Sequence, residues 1–438
     1  MQPSEHSTKD TLLTQLATNP SCLDDYDPNA MSVDNAKKYI QQFLSPVEQQ
    51  EVVAIEDALG RVLATNILSP ANVPNYNNSA MDGYAFNADS AQGEGIHQLY
   101  IVGTAFAGQA FSGQVKLGEC VRIMTGAMMP SGTDTVVVQE KVLVNNQTIS
   151  FAEAPKRGSN VRYAGEDLQF GQVVLAAGHW MKPADLGLVA SLGLAEVSVY
   201  RRLKVAIFST GDELVSFGQP LQIGQVYDSN RYSLIGMLKK LDVEILDFGT
   251  IPDNVQQLEN TLLKASEAAD VVITSGGVSV GEADFMKQLL MQHGEVLFWK
   301  IAMKPGRPLA YGKIGTSTEK SAHYFGLPGN PVAVMVTFYQ FVREALLRLM
   351  GQTTPPATPL FEVVCTAVIR KLAGRTEFQR GICYLDEDGR WKVKPTGAQG
   401  SAMLNSMSRA NCFIVLDEKT ANLEAGELVK IQLFEGLM

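Results

Sequence analysis

Acidic side chains follow three stretches of this sequence that have the composition of buried strands. Glu213 comes after the apolar run at 205–208, Asp284 comes after the run at 271–274, and Asp253 follows a third strand-like stretch. The carboxyl ends of parallel strands meet at one edge of a sheet, where open α/β sheets bind their ligands. Clustered carboxylates beside phosphate oxygens are the ligands that Mg²⁺ prefers in proteins. The pattern therefore predicts a magnesium site formed by these three carboxylates.

Helix capping is the competing interpretation of each of these acids. Acids in a first helical turn interact favourably with the helix dipole, and Asp253 with Gln256 has the spacing of a capping box. Taken alone, Asp212 and Glu213 also fit a helix cap better than a metal site. The convergence of several strand ends on one edge is what favours the metal.

Glycine-rich turns stand at the same strand ends. The turn SGGVSVGEAD at 275–284 holds three glycines, which let the backbone approach a ligand and turn N–H groups towards a phosphate. A tight turn before a helix explains such a loop equally well when it stands alone. With the turn STGDEL at 209–214, it supplies the predicted substrate contacts Ser209, Gly211, Ser275, Gly276, Gly277 and Ser279.

Cations follow a fourth strand-like stretch, VLFW. Alternation through WKIAMK puts Lys300 and Lys304 on one face of the strand, and Arg307 follows in the turn PGRP. Lysines on a strand face are usually just solvated, but beside a glycine-rich edge they are candidates for holding an oxyanion as point charges. Pro328 lies in GLPGNP, which is either a plain loop or a helix start that faces the same anion.

Composition and charge limit the class of protein. A chain of 438 residues exceeds what one hydrophobic core normally organises, so several domains are expected. The net charge of −10 is concentrated in residues 1–60, which hold ten acids and three bases, so the remainder can form a local anion-binding pocket. The chain has no Lys/Arg cluster or basic helix, which argues against a nucleic-acid partner.

The cysteines and the N-terminus predict a cytoplasmic protein. The five cysteines are scattered and form no Cys-x-x-Cys pair, which fits a reducing compartment. The N-terminal residues MQPSEHSTKD resemble neither a signal peptide nor a transit peptide. The most apolar stretch, 331–342, is shorter than the roughly 20 residues of a membrane-spanning helix, so no membrane partner is expected and a core or dimer-interface helix is predicted there.

The elements that position these residues predict a multidomain α/β plus β protein. Residues 204–350 alternate strand and helix, as expected for a central, doubly wound and mostly parallel sheet. Strands are predicted at 205–208, 243–246, 271–274 and 296–299, and helices near 231–241, 255–268, 283–293 and 331–349. A further helix is expected from the N-cap Ser32, with Phe43 on its buried face. The loops NSAMDGYA, MTGA and RYAGED lie in a β-rich insertion, where each alone could be a simple turn.

Changes in composition predict four segments. They are a flexible extension (1–30), a β-rich insertion domain (72–167), an α/β substrate-binding domain (202–352) and a C-terminal β-barrel-like domain (357–438).

Seven of these motifs, at coherent spacing, resemble the MoeA-type molybdopterin molybdenumtransferases, the family of gephyrin and the plant E-domains. The resemblance runs from about residue 30 to the C-terminus. It rests on NSAMDGYA (78–85), MTGA (124–127), GED (165–167), STGDEL (209–214), SGGVSVGEADF (275–285), KPGRP (304–308) and GLPGNP (326–331).

The resemblance implies a Mg²⁺-dependent transferase that converts adenylyl-molybdopterin and molybdate to molybdenum cofactor and AMP. It also implies a discontinuous linker and dimerisation domain (31–71 and 168–201). In the implied homodimer, the adenylyltransferase-like α/β domain of one subunit faces the insertion domain of the other, and contact with other cofactor-assembly enzymes is left open. By motif position the functional set is Asp82, Thr125, Arg162, Asp167, Glu213, Asp253, Asp284, Lys300, Lys304 and Ser401.

The sequence leaves three alternative functions open. A molybdopterin adenylyltransferase would resemble the α/β domain alone, and its strand-end turn reads Gly-Gly-Thr-Gly, whereas Gly276-Gly277 here continues into Val-Ser. A non-catalytic scaffold of the same family would be expected to carry a fused adenylyltransferase-like domain and a long linker. A tungsten-selective paralogue stays open because tungstate and molybdate are nearly equal in size and charge.

Overall fold

The computed structural model of the protein describes residues 30–277, 285–317, 320–353 and 358–434. The predicted site residues Ser279 and Asp284, the extension up to residue 29 and the linker prolines at 355–356 lie outside the described residues. Among the helices of the described residues, none combines the length and apolar character needed to cross a membrane.

The elements are numbered in chain order. The α-helices are α1 (Val33–Gln42), α2 (Pro183–Ser191), α3 (Ser229–Lys239), α4 (Val255–Ala268), α5 (Phe285–His293), α6 (Pro331–Thr337), α7 (Arg343–Leu349) and α8 (Leu404–Arg409), with a π-helical turn at Phe338–Val342 between α6 and α7. The strands are β1 (Gln50–Ala54), β2 (Ile67–Leu68), β3 (Asn78–Ser79), β4 (Gly83–Phe86), β5 (His97–Ala105), β6 (Glu119–Ile123), β7 (Thr135–Val138), β8 (Leu143–Asn145), β9 (Thr148–Phe151), β10 (Val161–Arg162), β11 (Val173–Leu175), β12 (Glu196–Tyr200), β13 (Lys204–Thr210), β14 (Leu214–Val215), β15 (Val226–Tyr227), β16 (Glu244–Ile251), β17 (Val271–Ser275), β18 (Gly294–Lys300), β19 (Met303–Lys304), β20 (Pro308–Ser317), β21 (Lys320–Leu327), β22 (Phe361–Cys365), β23 (Thr376–Leu385), β24 (Trp391–Pro395), β25 (Cys412–Leu416) and β26 (Leu428–Leu433).

The central domain contains a six-stranded sheet in the order β16-β13-β17-β21-β20-β18. The first four strands are parallel, and β20 runs antiparallel to both β21 and β18. The predicted, mostly parallel sheet is therefore confirmed. The sequence reading missed β20 and β21, because glycine and lysine interrupt the apolar runs between 312 and 321.

Both faces of this sheet are covered, which makes it doubly wound. Along β13, Val205 and Ile207 belong to one buried cluster with side chains of α3. Ala206 and Phe208 point to the other face and join a second cluster with α4 and α5. A strand that is apolar at every position reads as a continuous run, as expected for a parallel strand that is buried on both sides.

The insertion forms its own six-stranded sheet, in the order β7-β4-β6-β5-β9-β8. The segments on either side of it pair with each other, β1 with β12 and β2 with β11. Before them, α1 begins as predicted, and the Ser32 hydroxyl accepts a hydrogen bond from the Asn35 N–H at 3.2 Å. Phe43 was expected on the buried face, but α1 ends at Gln42 and Phe43 is 36% exposed.

The C-terminal domain is a closed barrel of five strands, β23-β24-β22-β26-β25, in which β25 returns to pair with β23. The two-residue strand β19, from the α/β segment, adds to the outside of β23. The closed barrel confirms the predicted β-barrel-like domain. The pairing of β19 with β23 connects the barrel to the segment that follows β18.

Candidate active site

The ends of the four parallel strands lie side by side at one edge of the central sheet, which we call the rim. Ser209 at the end of β13 is in register with Thr250 of β16 and with Ser275 of β17, and Ser275 is in register with Leu327 of β21. The turns that leave these strands therefore start at the same level. They carry Gly211, Glu213, Asp253, Gly276, Gly277 and Pro328.

An acidic cluster lies at the end of the rim where β16 and β13 are neighbours. The backbone N–H of Asp253 donates to Oδ1 of Asp212 at 3.0 Å. Asp212, Glu213 and Asp253 are all exposed side chains. Desolvation, followed by the negative charges of Asp212 and Glu213, raises the pKa of the Asp253 carboxyl group. Asp212 was not in the predicted metal set, although it is part of the same cluster.

The helix-capping interpretation of these acids is wrong. The N-cap of α4 is Asn254, whose side chain accepts the Gln257 N–H, so Asp253 lies one residue before the cap. No helix follows Glu213, because the chain turns at Gly211 and continues into the short strand β14. Neither Glu213 nor Asp253 is therefore the N-cap of a helix.

The oxygen donors of this cluster are of the kind that Mg²⁺ binds. Within the described ranges, no group of three or more His, Cys, Asp or Glu side chains is arranged to hold a metal ion. The third predicted ligand, Asp284, lies outside those ranges. Desolvation, followed by the charges of Asp212 and Glu213, disfavours the ionised form of Asp253, and a cation held there would offset the repulsion between these charges.

Glycine is required where the turn after β17 crosses the end of β13. Gly276 has φ +91°, and a Cβ there would lie 2.6 Å from the carbonyl oxygen of Thr210. The Gly276 N–H donates to the carbonyl of Leu327 at 3.2 Å. Gly276 is thus needed for a close contact between the backbones of β13 and β21, and the predicted approach of this turn to a ligand stays a prediction.

Asp228 at the start of α3 was missed by the sequence reading. Its side chain is 3% exposed, and it accepts hydrogen bonds from the hydroxyls of Ser209 at 3.1 Å and Thr250 at 3.0 Å. It also caps α3 by accepting the Arg231 N–H at 3.2 Å. One buried carboxylate thus joins the ends of β13 and β16. Ser209 was predicted as a substrate contact, but its hydroxyl donates to Asp228.

Asn230, also missed, makes the equivalent link for the next two strands. Its Nδ2 donates to Oγ of Ser275 at 2.7 Å and to the carbonyl of Gly329 at 2.7 Å. The side chain is 7% exposed. The signal for both residues was the DSN sequence at the start of α3, where Asp228 is a strong N-cap candidate, but such a pattern gives no hint of contacts to distant strands.

The cations lie at the opposite end of the rim. Lys300 ends β18 in register with Pro308, next to Arg307, and both cations are half-buried. The carboxylates at the end of β16 are five strand spacings away, up to about 24 Å along the sheet. The acids and the cations therefore share one edge of the sheet, but they lie at its two ends rather than facing each other across a narrow gap.

The prediction that Lys300 and Lys304 belong to one strand is wrong. The strand β18 stops at Lys300, and Met303–Lys304 form β19, which pairs with β23 of the barrel. The alternation itself holds, since Trp299, Ile301 and Met303 are buried. The N–H of Thr376 in the barrel binds the carbonyl of Ala302 between them, and this interdomain contact divides the strand.

Ser401 reaches the rim from the barrel domain. Its carbonyl accepts the N–H of Val332 at 3.0 Å, in the first turn of α6, just after Pro328. Arg380 fixes this loop by donating to the Gly400 carbonyl and the Ser406 hydroxyl, both at 3.0 Å. Burial to 1% exposure lowers the pKa of Arg380 to about 10. Arg380 was missed, because nothing in a barrel strand marks one arginine as fully buried.

A second group of predicted residues lies in the insertion domain. The N–H and the hydroxyl of Thr125 both donate to Oδ1 of Asp82, at 2.7 and 2.8 Å. These bonds, the backbone one first, lower the pKa of Asp82. Arg162 lies in β10, which pairs with β3 three residues before Asp82, and Asp167 is exposed in the following turn. The predicted catalytic residues thus fall into two groups, one at the rim and one in the insertion domain.

A cavity of about 880 Å³ lies elsewhere, between α1, the π-helical turn and the barrel, and it contains none of the predicted site residues. Its walls carry cations such as Lys37 and Arg343 together with acids such as Glu344 and Glu362. This mixed lining does not point to one class of ligand, and the candidate site stays at the rim.

Three models of known protein families together match almost all of the described residues. Residues 31–193 match the MoeA N-terminal region (domain I and II), residues 206–348 match a "Probable molybdopterin binding domain", and residues 362–434 match the MoeA C-terminal region (domain IV). The molybdopterin molybdenumtransferase of Haemophilus influenzae is 46% identical over 409 residues, which cover 93% of this chain and all of that protein. The chain belongs to the MoeA family.

Two further matches bear on the fold and on the alternatives. The molybdopterin biosynthesis moeA protein of Pyrococcus horikoshii OT3 has a similar crystal structure, with a TM-score of 0.79, 28% identity, and coverage of 92% of this chain and all of that one. The gephyrin of Dictyostelium discoideum is 33% identical over 92% of this chain, but over only 62% of its own length. The MoeA family fold is thus present along the chain, and it corresponds to one part of that gephyrin.

Proposed function

We propose that the protein inserts molybdenum from molybdate into adenylyl-molybdopterin and releases AMP, as a transferase of molybdenum cofactor biosynthesis. The observation that carries the proposal is the full-length match to a protein named molybdopterin molybdenumtransferase. An adenylyltransferase resembling the α/β domain alone leaves the insertion and barrel domains without a role. The match to gephyrin covers 92% of this chain but only 62% of that gephyrin, and the remaining part of the gephyrin has no counterpart in the match. The match therefore does not favour a scaffold over an enzyme.

The proposed position of the nucleotide is the rim, with its phosphates at the turns after β13 and β17. Backbone N–H groups at Gly211 and Gly277 suit phosphate oxygens, whereas the Gly276 N–H is already donated to the Leu327 carbonyl. Glu213 and Asp253, with Asp284 and with the neighbouring Asp212, would hold Mg²⁺. When bound, the metal neutralises charge on the phosphoanhydride and polarises it for cleavage.

Molybdate is the proposed second substrate, held at the other end of the rim. Lys300 and Arg307 are half-buried there, and Lys304 is exposed on the adjoining strand β19. Clustered cations attract an oxyanion as fixed charges. An extended adenylyl-molybdopterin lying along the rim would bring its dithiolene towards these cations while its phosphates stay near the acids.

The proposal includes a homodimer. Asp82, Thr125, Arg162 and Asp167 lie in the insertion domain, and in the proposed dimer the insertion domain of the second subunit faces the rim. Asp82, kept ionised by Thr125, would then position reacting groups over the bound nucleotide. A reducing compartment such as the cytoplasm suits the four described cysteines, which are all buried free thiols.

The test is an assay of AMP release. The purified protein is incubated with adenylyl-molybdopterin, MgCl₂ and molybdate, and AMP and molybdenum cofactor are measured in the same samples. We expect both to appear together, to require molybdate and to stop when EDTA removes the metal. Parallel reactions with tungstate distinguish a tungsten-selective enzyme. AMP release that is absent with either oxyanion, together with adenylylation of molybdopterin from ATP, would overturn the proposal in favour of an adenylyltransferase.

A further inference from the structure

The first turn of α3 contacts the ends of all four parallel strands. Asp228 accepts hydrogen bonds from β13 and β16, through Ser209 and Thr250. Asn230 donates to β17 through Ser275 and to the loop after β21 through Gly329. Two residues that are separated by a single residue in the sequence therefore link the ends of all four parallel strands.

The two residues are not equivalent. Asp228 also caps α3 and lies beside the Arg231 guanidinium, with Nε 3.3 Å from Oδ2, so its loss would disturb the helix itself. Asn230 neither caps α3 nor lies in an ion pair. Its side chain donates both hydrogen bonds from Nδ2 to the rim, and its Oδ1 is buried without a hydrogen-bond partner among the residues that the structure describes.

An unsatisfied buried acceptor costs free energy of folding. A small apolar side chain in its place would avoid that cost, so packing alone does not account for an asparagine here. What an asparagine adds is one NH₂ group with two donors, and both donors reach the rim. The two acceptors belong to the turns predicted to bind the substrate.

We infer that Asn230 is a positioning residue that fixes the end of β17 at Ser275 against the Pro328–Gly329 loop, and so sets the width of the nucleotide subsite. The same two strand ends are also joined by the Gly276 N–H and the Leu327 carbonyl. Asn230 adds a second link, so the ends of β17 and β21 are held at two points. Asn230 acts through Ser275 and Gly329 and not on the reacting atoms, and the inference rests on the proposed function.

The experiment compares Asn230→Ala with the wild type in AMP release and in binding of AMP by titration calorimetry. Loss of both donor bonds loosens the subsite, so we expect the KM for adenylyl-molybdopterin and the Kd for AMP to rise about tenfold, while kcat changes by less than about threefold. In a double-mutant cycle, Ser275→Ala should raise KM less in the Asn230→Ala background than in the wild type. Asn230→Ser, which keeps one donor, should lie between wild type and Asn230→Ala.

Asn411→Ala is the matched control. The Asn411 amide also makes two hydrogen bonds, to the backbone N–H and carbonyl of Cys383 in the barrel, at 2.7 and 2.8 Å. It should lower the thermal stability while leaving KM and the AMP affinity unchanged. A wild type that releases no AMP speaks against the proposed function, whereas an active wild type with Asn230→Ala within about twofold of it in KM and Kd overturns the inference on Asn230. An equal rise in KM for Asn411→Ala also overturns it, because a general loss of stability then explains both.

Discussion

Asp253 donates its backbone N–H to the carboxylate of Asp212, although the two residues are 41 positions apart and follow different strands. The contact exists because β16 and β13 are parallel neighbours whose ends are in register. It places a third carboxylate, that of Glu213, near the same point. Desolvation, followed by the negative charges of Asp212 and Glu213, raises the pKa of Asp253. This relationship supports the proposed metal subsite and leads to the first prediction.

Asp253→Asn should stabilise the metal-free protein at pH 7 and abolish the effect of Mg²⁺. A carboxyl group whose folded pKa is raised contributes stability at low pH, and that contribution is lost as the pH rises through the folded pKa. At neutral pH the charge is therefore unfavourable, and removing it should raise the Tm. Thermal unfolding with and without MgCl₂ measures this. Glu267→Gln, an exposed acid on the neighbouring helix, is the control, and a lower Tm for Asp253→Asn would contradict the assignment.

Thr125→Val should shift the pH dependence of AMP release to higher pH. The substitution keeps the backbone N–H but removes the hydroxyl donor, so the lowered pKa of Asp82 should move up towards its usual value. Because the ionised form is the one that Thr125 stabilises, activity at the acid end should be lost earlier as the pH falls. The measurement is kcat/KM from about pH 3 to about pH 6, a window that includes the usual pKa of an aspartate. Thr133→Val, which removes a hydroxyl bonded to Pro130 in the same domain, should leave the profile in place.

Arg380→Lys should slow AMP release while the protein stays folded. Lysine keeps the charge but lacks the planar fork, so it cannot bind the Gly400 carbonyl and the Ser406 hydroxyl together. We expect a loss of about 1–3 kcal/mol in the free energy of unfolding, and a fall in activity because the Ser401 loop moves from α6. Denaturant unfolding and AMP release are measured side by side. Arg370→Lys, at an exposed ion pair with Glu424, is the control; full activity of Arg380→Lys would refute the positioning of Ser401.

Lys300→Met and Lys304→Met should differ in their dependence on salt. Lys304 is exposed, so its attraction for molybdate is screened by added ions, whereas half-buried Lys300 is screened less. At low ionic strength each variant should raise the KM for molybdate about fivefold, equivalent to about 1 kcal/mol. In 0.5 M NaCl, chosen as about three times physiological ionic strength, the Lys304→Met variant should approach the wild type while Lys300→Met stays impaired. Identical salt responses would argue against two different environments.

The sequence by itself determined the class of the central domain and the edge at which its turns meet. Apolar runs such as 205–208, followed by glycine and acids, mark buried parallel strands and their ends, and these signals are local. The order of the turns along the chain then predicted that Glu213 and Asp253 share an edge, as the structure has them. The predicted roles of the site residues, including Ser279 and Asp284 outside the described ranges, stay predictions.

Only the tertiary structure decided which residues meet at that edge and how far apart they lie. The hairpin of β20 and β21 enters the sheet between β17 and β18, and this moves Lys300 away from the acids. Pairing with the barrel places Lys304 in a different sheet, and Asp228 and Asn230, at the start of α3, link strand ends that are distant in the sequence. These outcomes depend on strand order and on interdomain contacts between residues distant in sequence, whereas periodicity and capping patterns report only on neighbours along the chain.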